Sequence, residues 1–262
     1  NLNVESPFDF NGTDPTHGEK VFSFPEAYVS NPQRAAILKI KTDFVNSLHN
    51  YFQNQGFVLV EPPVITDKTL YGGDTAVEAE VHGEKVFLSQ CATFELEPLA
   101  LAFGKVYTIS PAFRNEPSGS KRHLAEYTHT KAEALFVEIS DLKELSGNSI
   151  YHAMSQVSRL NERELSMLDV NLKLEGLRPE NHGHISYNDA LKITQQRGST
   201  TEWGEGLKRK DEIILTQYFG DKYNPHLTIS KTSSDFDRNS RELFGRRDVI
   251  SKYHLAKKID GN

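Results

Sequence analysis

Five ionisable side chains flank one short turn in the segment 106–136. They are two arginines, one histidine and two glutamates: Arg114, Glu116, Arg122, His123 and Glu126. Two guanidiniums, an imidazole and two carboxylates suit a polyphosphate with its metal ions. Arginine binds phosphate oxygens bidentately through its planar guanidinium and stays protonated, while nearby carboxylates orient the arginines or bind the metal. Because exposed Arg and Glu are also ordinary at a hairpin end, the residue types alone leave a solvated turn open as well.

The elements that must position these side chains are two strands and the turn between them. Pro117, Ser118, Gly119 and Ser120 supply the residue types of a reversing chain, and apolar runs flank them. The sequence therefore predicts a long antiparallel hairpin whose open end carries the charged group.

The amino-acid sequence of this hairpin resembles a known motif. The run FRNE, a short loop and RHLAEYTHTKAE resemble motif 2 of the class II aminoacyl-tRNA synthetases, in the aspartyl/asparaginyl branch and most like the asparaginyl enzymes. The resemblance implies that Arg114 holds the α-phosphate of ATP and the carboxylate being activated. It implies that Arg122 and His123 reach the far phosphates, and that Glu116 lies near the adenine.

Two upstream segments occur in the order that the resemblance requires. Residues 51–63 resemble motif 1, which in the family builds the dimer interface, so a homodimer through this region is expected. Without the resemblance, the same residues predict an ordinary helix end, glycine turn and strand. Residues 71–75 lie where the branch has a Gly-rich loop over the substrate, and a flexible surface loop is an equally good interpretation.

The run from Phe87 to Glu97 resembles the segment that lines the amino-acid pocket of the branch. The resemblance assigns Gln90 to the substrate ammonium and places Leu96 and Glu97 in the pocket. The aspartyl enzymes carry lysine at the position of Leu96, so leucine favours an uncharged or amide side chain. Cys91 stands in a stretch that departs from the usual pattern, and we interpret it as a small buried hydrophobe.

Two further pocket residues follow on the second strand of the hairpin, Lys131 and Glu133. The branch usually carries glutamate at both positions, so Lys131 reverses a charge. Lys131 either alters the substrate or faces solvent, and the sequence leaves both open.

Several parts of the family pattern are not recognisable. Beyond Gly220 we find no acidic metal-binding strand, no GGS-R loop and no motif 3, so we expect either a truncated chain or a loss of half the ATP site. About 35 residues precede the first predicted helix, too few for a five-stranded barrel. We therefore expect no anticodon-binding domain, although tRNA stays possible as a partner.

Composition agrees with a soluble enzyme and adds little about its chemistry. The chain has 262 residues, 37% hydrophobic and 25% charged, a net charge of −6 and one cysteine. Such a chain can bury a substantial core, and the negative charge opposes broad affinity for nucleic acid. One cysteine excludes an internal disulfide and fits a reducing compartment. With no apolar run of membrane length and no leader pattern, we expect no membrane partner and a cytoplasmic location.

The predicted fold is α+β, with helices against the mainly antiparallel sheet of a class II synthetase, C-terminally incomplete. We expect an N-terminal arm over residues 1–30 and a catalytic-core-like domain over 31–262, with a variable insertion at about 170–220 and an atypical tail at 221–262. Helices are predicted over 31–55, 92–103 and 141–168, and strands over 58–61, 78–81 and 86–89. An H-x-H pair, His182 and His184, lacks a third ligand at zinc-like spacing, so no metal ligand is assigned.

The function that this pattern indicates is activation of an amino acid, asparagine or one like aspartate, as an aminoacyl adenylate, with ATP and Mg²⁺. The product would pass to tRNA or, in a tRNA-independent paralogue, to another amine. The alternative is a non-catalytic paralogue that binds an amino acid or a partner protein. The complete set of expected phosphate-binding residues, Arg114, Arg122 and His123, favours the enzyme. The missing motif 3 favours the non-catalytic paralogue.

Overall fold

The computed structural model describes residues 32–70, 74–115, 124–182, 184–219 and 228–230. The helices are α1 (Pro32–Asn54), α2 (Thr93–Phe103), α3 (Ile139–Leu160), α4 (Glu162–Met167), α5 (Tyr187–Gln196) and α6 (Arg209–Phe219). The strands are β1 (Val58–Leu59), β2 (Ile65–Thr66), β3 (Glu78–Val81), β4 (Glu84–Leu88), β5 (Lys105–Phe113), β6 (Glu126–Ala134), β7 (His184–Ser186) and β8 (Thr228–Ser230). Two 3-10 helices span Leu174–Leu177 and Pro179–Asn181.

The predicted hairpin is the centre of the fold. Strands β5 and β6 pair antiparallel over nine residues each, from Lys105 opposite Ala134 to Phe113 opposite Glu126. Strand β1 joins the free side of β5 in parallel, with Val58 opposite Val106. A second, antiparallel sheet has the order β2-β4-β3, and β7 pairs with β8 in parallel. The mixed helix-and-sheet class and the mainly antiparallel pairing are confirmed.

The two faces of the hairpin have different environments because side chains alternate along a strand. One face carries the fully buried Tyr107, which packs with Leu48, Tyr51 and Phe52 of α1 and with Ala153 of α3. Tyr107 and Phe52 stack with ring centroids 4.9 Å apart. This face is therefore the main core of the molecule.

The opposite face of the hairpin is covered only in part by helix α2. Val106 packs there with Ala92, Leu96 and Ala100. Helix α2 ends at Gly104, whose φ of 77° lies in the left-handed region and whose N–H donates to the carbonyl of Ala100. Glycine reaches this conformation without the strain that a Cβ adds. The helix thus turns the chain into β5 and packs over the start of β5 on this face.

The prediction of one helix from Asp141 to Leu168 is wrong. Helix α3 ends at Leu160, and the short helix α4 begins at Glu162. Asn161 between them is fully buried and caps α3, since its N–H donates to the carbonyl of Val157. The start also differs from the predicted cap at Ser140–Asp141. Glu138 is the N-cap, and Asp141 completes a capping box as its N3 partner.

Residues beyond 170 build a smaller core around helices α5 and α6. Ile185, Ala190 and Leu215 are buried together, and Asp211 is buried beside them at the start of α6. Helices α5 and α6 lie within the segment 170–220 that was expected to be a variable insertion. The tail at 221–262 lies outside the described residues except for the backbone of 228–230. Within the described ranges, no helix combines the length and the apolar character needed to span a membrane.

Candidate functional site

Arg114 lies one residue beyond β5 and extends the face of the hairpin opposite Tyr107. We call this face the polar face. Its N–H donates to the carbonyl of Ala125 at 2.9 Å, which continues the ladder past the Phe113–Glu126 pair. By the alternation of a strand, Arg114 therefore shares a face with Ala112 and, across the ladder, with Tyr127. His129, Lys131 and Glu133 follow on that same face of β6. The guanidinium predicted to bind phosphate thus opens a row of polar side chains.

The remaining motif 2 residues cannot be placed against this row. Glu116, Arg122 and His123 lie outside the described residues. Their roles at the adenine and at the far phosphates stay predictions.

Gln90 lies in the segment that bonds to the end of β5 and is 3% exposed. Its Oε1 accepts a hydrogen bond from the N–H of Leu70 at 2.9 Å, and its Nε2 donates to Oγ1 of Thr75 at 2.9 Å. The adjacent carbonyl of Ser89 accepts from the N–H of Phe113 at 2.9 Å. Both ends of the Gln90 amide therefore hold the chain around the site, and its predicted contact with the substrate ammonium stays a prediction.

Lys131 is buried, with 8% of its surface exposed. The interpretation in which it faces solvent is therefore wrong. Its Nζ donates to Sγ of Cys91 at 3.2 Å and to Oγ1 of Thr93, and lies 3.6 Å from Oε1 of the buried Glu133. A buried ammonium is tolerated only where anions or acceptors surround it, and these three groups fulfil that need.

Cys91 is buried as predicted, but it is more than a small hydrophobe. Burial alone would raise the pKa of its thiol, yet hydrogen bonds from His129 and Thr93 and the ammonium of Lys131 outweigh it and lower the pKa to about 6. The thiol is therefore largely ionised at neutral pH, and the thiolate balances the charge of Lys131.

The two pocket residues predicted on helix α2 occupy different environments. Leu96 is 0% exposed and packs with Ala92, Ala100 and Val106 in the core between α2 and β5. Glu97 is half-buried. Their contacts with a substrate stay predictions.

Three residues near the site were given no individual role by sequence reasoning: Thr75, Thr93 and His129. Thr75 and Thr93 belong to the segments 71–75 and 87–97, which the resemblance assigns to the substrate. The strand alternation already places His129 on the face of Lys131, so this signal was present in the sequence. The contacts of Thr75 and Thr93 come from separate chain segments that meet only in the fold.

Metal ligands are not grouped in the described part of the chain. No set of three or more His, Cys, Asp or Glu side chains there lies close enough to hold an ion. His182 instead bonds through Nε2 with the carbonyl of Leu177 at 3.1 Å.

Comparison with known proteins identifies related chains. The family model for class II tRNA synthetases (D, K and N) matches residues 23–244. This range begins before helix α1 and ends after helix α6. The match therefore includes the hairpin, the Gln90 segment and part of the tail.

Individual relatives agree with the family match. An asparagine–tRNA ligase of Koribacter versatilis is 33% identical over 215 residues, which cover 79% of this chain and 48% of the relative. One from Pelotomaculum thermopropionicum is 31% identical and covers 74% of this chain and 45% of the relative. The chain thus spans about half the length of the curated relatives it matches.

A solved structure shares the fold. Asparaginyl-tRNA synthetase from Pyrococcus horikoshii, crystallised with asparaginyl-adenylate, superposes with a TM-score of 0.73 at 26% identity, over 82% of this chain and 50% of that one. The order of the segments along the chain and the polar face of the hairpin both agree with these matches. The chain belongs to the family of class II tRNA synthetases (D, K and N).

Proposed function

We propose that this protein activates the carboxylate of an amino acid with ATP, as an aminoacyl adenylate. The observation that carries the proposal is the position of Arg114 on the polar face of the hairpin, next to the buried Gln90 segment. A guanidinium there meets the requirement of a reaction in which a carboxylate and a phosphate, both anionic, must approach each other. Asparagine is the proposed substrate, with an aspartate-like acid as the variant, because the relatives are asparagine–tRNA ligases.

The chemistry needs no general base. The substrate carboxylate is ionised near neutral pH, and one of its oxygens attacks the α-phosphorus of ATP while pyrophosphate leaves. Arg114 would hold both reacting groups, so that their orientation lowers the barrier. Arg122 and His123 would stabilise the charge that develops on pyrophosphate. Mg²⁺, bound chiefly by the ATP phosphates, would supply further neutralisation.

The acceptor and the assembly belong to the proposal as well. We propose tRNA as the acceptor of the activated amino acid, since the relatives are named as tRNA ligases. We also propose a homodimer through residues 51–63. Strand β1 lies at the edge of its sheet within the described residues, and Val58 and Leu59 are about two-fifths exposed at 41% and 39%. An exposed apolar edge strand favours pairing with another chain.

The test is exchange of labelled pyrophosphate into ATP by the complete native protein, with Mg²⁺ and each of the twenty amino acids in turn. Exchange that depends on asparagine is the expected result. Arg114→Ala should reduce it by at least roughly 10²–10³-fold, the usual loss for one donor to developing charge. Arg114→Lys should keep only part of the wild-type exchange rate, because an ammonium cannot bind two oxygens bidentately as a guanidinium does.

The matched control is Arg159→Ala. Arg159 is exposed on α3, and within the described residues its guanidinium bonds to Gln156. This variant should exchange at the wild-type rate. Near-normal exchange by a folded Arg114→Ala protein would remove Arg114 from the mechanism. No exchange by the folded wild type would reject the activity and favour the binding paralogue.

A further inference from the structure

Thr75 connects the Gln90 segment to the chain beside Arg114. Its Oγ1 accepts a hydrogen bond from Nε2 of Gln90 at 2.9 Å, while its carbonyl accepts from the N–H of Asn115 at 2.8 Å. Asn115 directly follows Arg114. One residue therefore joins the two segments to which the proposed function assigns the ends of the amino acid.

The connection continues on the far side of Gln90. Oε1 of Gln90 accepts from the N–H of Leu70 at 2.9 Å, so both polar ends of its amide are used. Gln90 is 3% exposed, and a buried amide that loses a partner has no water to replace it. The three hydrogen bonds form one path, from Leu70 through Gln90 and Thr75 to Asn115. We call this path the Thr75 strut.

A second link runs parallel to the strut through the backbone. The carbonyl of Ser89 accepts from the N–H of Phe113 at 2.9 Å. Arg114 is thereby bracketed, since the residue before it is bonded to the Gln90 segment and the residue after it is bonded to Thr75. The backbone link holds one side of Arg114 and the bond from Asn115 to Thr75 holds the other, in addition to the ladder bond from Arg114 to Ala125.

We propose that Thr75 is a positioning residue for amino-acid activation. This inference rests on the proposed function: Gln90 is the group expected at the substrate ammonium, and Arg114 is the group expected at its carboxylate. The strut keeps these two groups at a fixed separation, so that a bound amino acid presents its carboxylate to the α-phosphorus. Thr75 itself touches neither reacting atom.

The size of the effect follows from the geometry that such a reaction needs. A displacement of about 1 Å of a positioned group costs roughly 10²-fold in rate. Groups at a site stay in place because neighbouring hydrogen bonds hold them. Loss of one bond in the strut frees one side only, so we expect a smaller loss, of about 10-fold to 100-fold.

The test compares two substitutions at Thr75 in the complete native protein. Thr75→Val replaces the hydroxyl by a methyl group of similar size, and Thr75→Ser keeps the hydroxyl. We expect Thr75→Val to lower kcat for asparagine-dependent exchange about 10-fold to 100-fold with a smaller change in KM for ATP. Thr75→Ser should restore most of kcat. Thr42→Val is the control for loss of a threonine hydroxyl, since Thr42 is exposed on α1 and its Oγ1 donates to the carbonyl of Leu38 in the same helix.

A second measurement does not depend on activity. Backbone amide exchange of Leu70 and Asn115, followed without substrate, reports the two ends of the strut. Thr75→Val should accelerate exchange at Leu70 and Asn115, and Thr42→Val should leave both unchanged. Unchanged exchange at both amides in Thr75→Val would overturn the strut.

The two proposals fail in different ways. If the folded wild type exchanges no pyrophosphate with any amino acid, the proposed function fails, and amide exchange still decides whether the strut exists. If the wild type is active and Thr75→Val has the wild-type kcat, the positioning role is overturned and the proposed function stands. An equal loss of kcat in Thr75→Val and Thr75→Ser would also overturn it, because the hydroxyl would then not be the group that matters.

Discussion

Nζ of Lys131 lies 3.2 Å from Sγ of Cys91, and both residues are more than nine-tenths buried. The two come from different parts of the chain, since Lys131 belongs to β6 and Cys91 precedes α2. Glu133 lies 3.6 Å from the same ammonium. A buried lysine is thus balanced by a thiolate and a carboxylate, which makes the ionisation of Cys91 part of how this face of the hairpin is held together.

The first prediction concerns the titration of Cys91. Hydrogen bonds and the Lys131 ammonium lower the pKa of its thiol to about 6 in spite of burial. Because the thiolate is the nucleophile, the rate of modification by a small methanethiosulfonate should rise with pH and reach half its maximum near pH 6. Cys91 is the one cysteine of this 262-residue chain, so the modified mass assigns the site within it.

Lys131→Met is the variant that tests the cause. It keeps an unbranched side chain and removes the charge, so the midpoint of Cys91 modification should move upward by at least about one pH unit. Lys85→Met is the control, because Lys85 is exposed and pairs with Glu78 on the other sheet. An unchanged midpoint in Lys131→Met would show that Lys131 does not stabilise the thiolate.

The second prediction is a pH dependence of stability. The folded-state pKa of Cys91 is about 6, below the ordinary value of 9.0. A group with a depressed folded pKa stabilises the fold above its unfolded pKa, and this contribution disappears as pH falls through the folded pKa. The free energy of unfolding of the wild type, relative to Cys91→Ser, should therefore rise between about pH 6 and pH 9. Urea unfolding at a series of pH values measures it, and parallel curves would contradict it.

The third prediction concerns Asp211, which is 1% exposed. Its Oδ2 accepts from Oγ1 of Thr201 at 2.7 Å and from the N–H of Lys208 at 2.8 Å. Asp211→Ala leaves both donors without this acceptor, so the free energy of unfolding should fall by about 1–3 kcal/mol. Thermal and urea unfolding measure the change.

The charge of Asp211 has its own signature. Burial alone would raise the pKa of this carboxyl, but hydrogen bonds from Ser199, Thr201 and the N–H of Lys208 outweigh it and lower the pKa. The stabilisation is present above the unfolded pKa and disappears as pH falls through the folded pKa. Asp211→Asn should therefore remove this acid-dependent loss. Asp67→Asn is the control, because Asp67 is exposed and directly follows β2.

The parts of the fold that the sequence predicted well are governed by local patterns. An apolar period and a following glycine place helix α1 within one residue at each end, at Pro32 and Asn54. Turn residues and alternation predict the hairpin of β5 and β6. The break at Asn161 was not predictable in the same way, because the apolar period continues across this buried residue.

The site divides along the same line. Resemblance to the family selected Arg114 and Gln90, and alternation fixed which residues share a strand face. Neither the resemblance nor the alternation indicates which strand face is covered, so the burial of Lys131 could be seen only in the folded structure. The bonds of Gln90 to Leu70 and Thr75 join residues 20 and 15 positions away, and no pattern in the sequence encodes these contacts.

The last prediction tests the proposed homodimer. Val58 and Leu59 form β1 at the edge of its sheet within the described residues, and both side chains are partly exposed. A glutamate at position 59 would put a charge into an apolar interface without a partner, which costs more than the interface gains there. Leu59→Glu should therefore convert a dimer into a monomer by light scattering at micromolar concentration. Ile213→Glu, at an exposed site on α6, should keep the wild-type mass. A wild type that is already monomeric would reject the dimer, and a dimeric Leu59→Glu would move the interface away from β1.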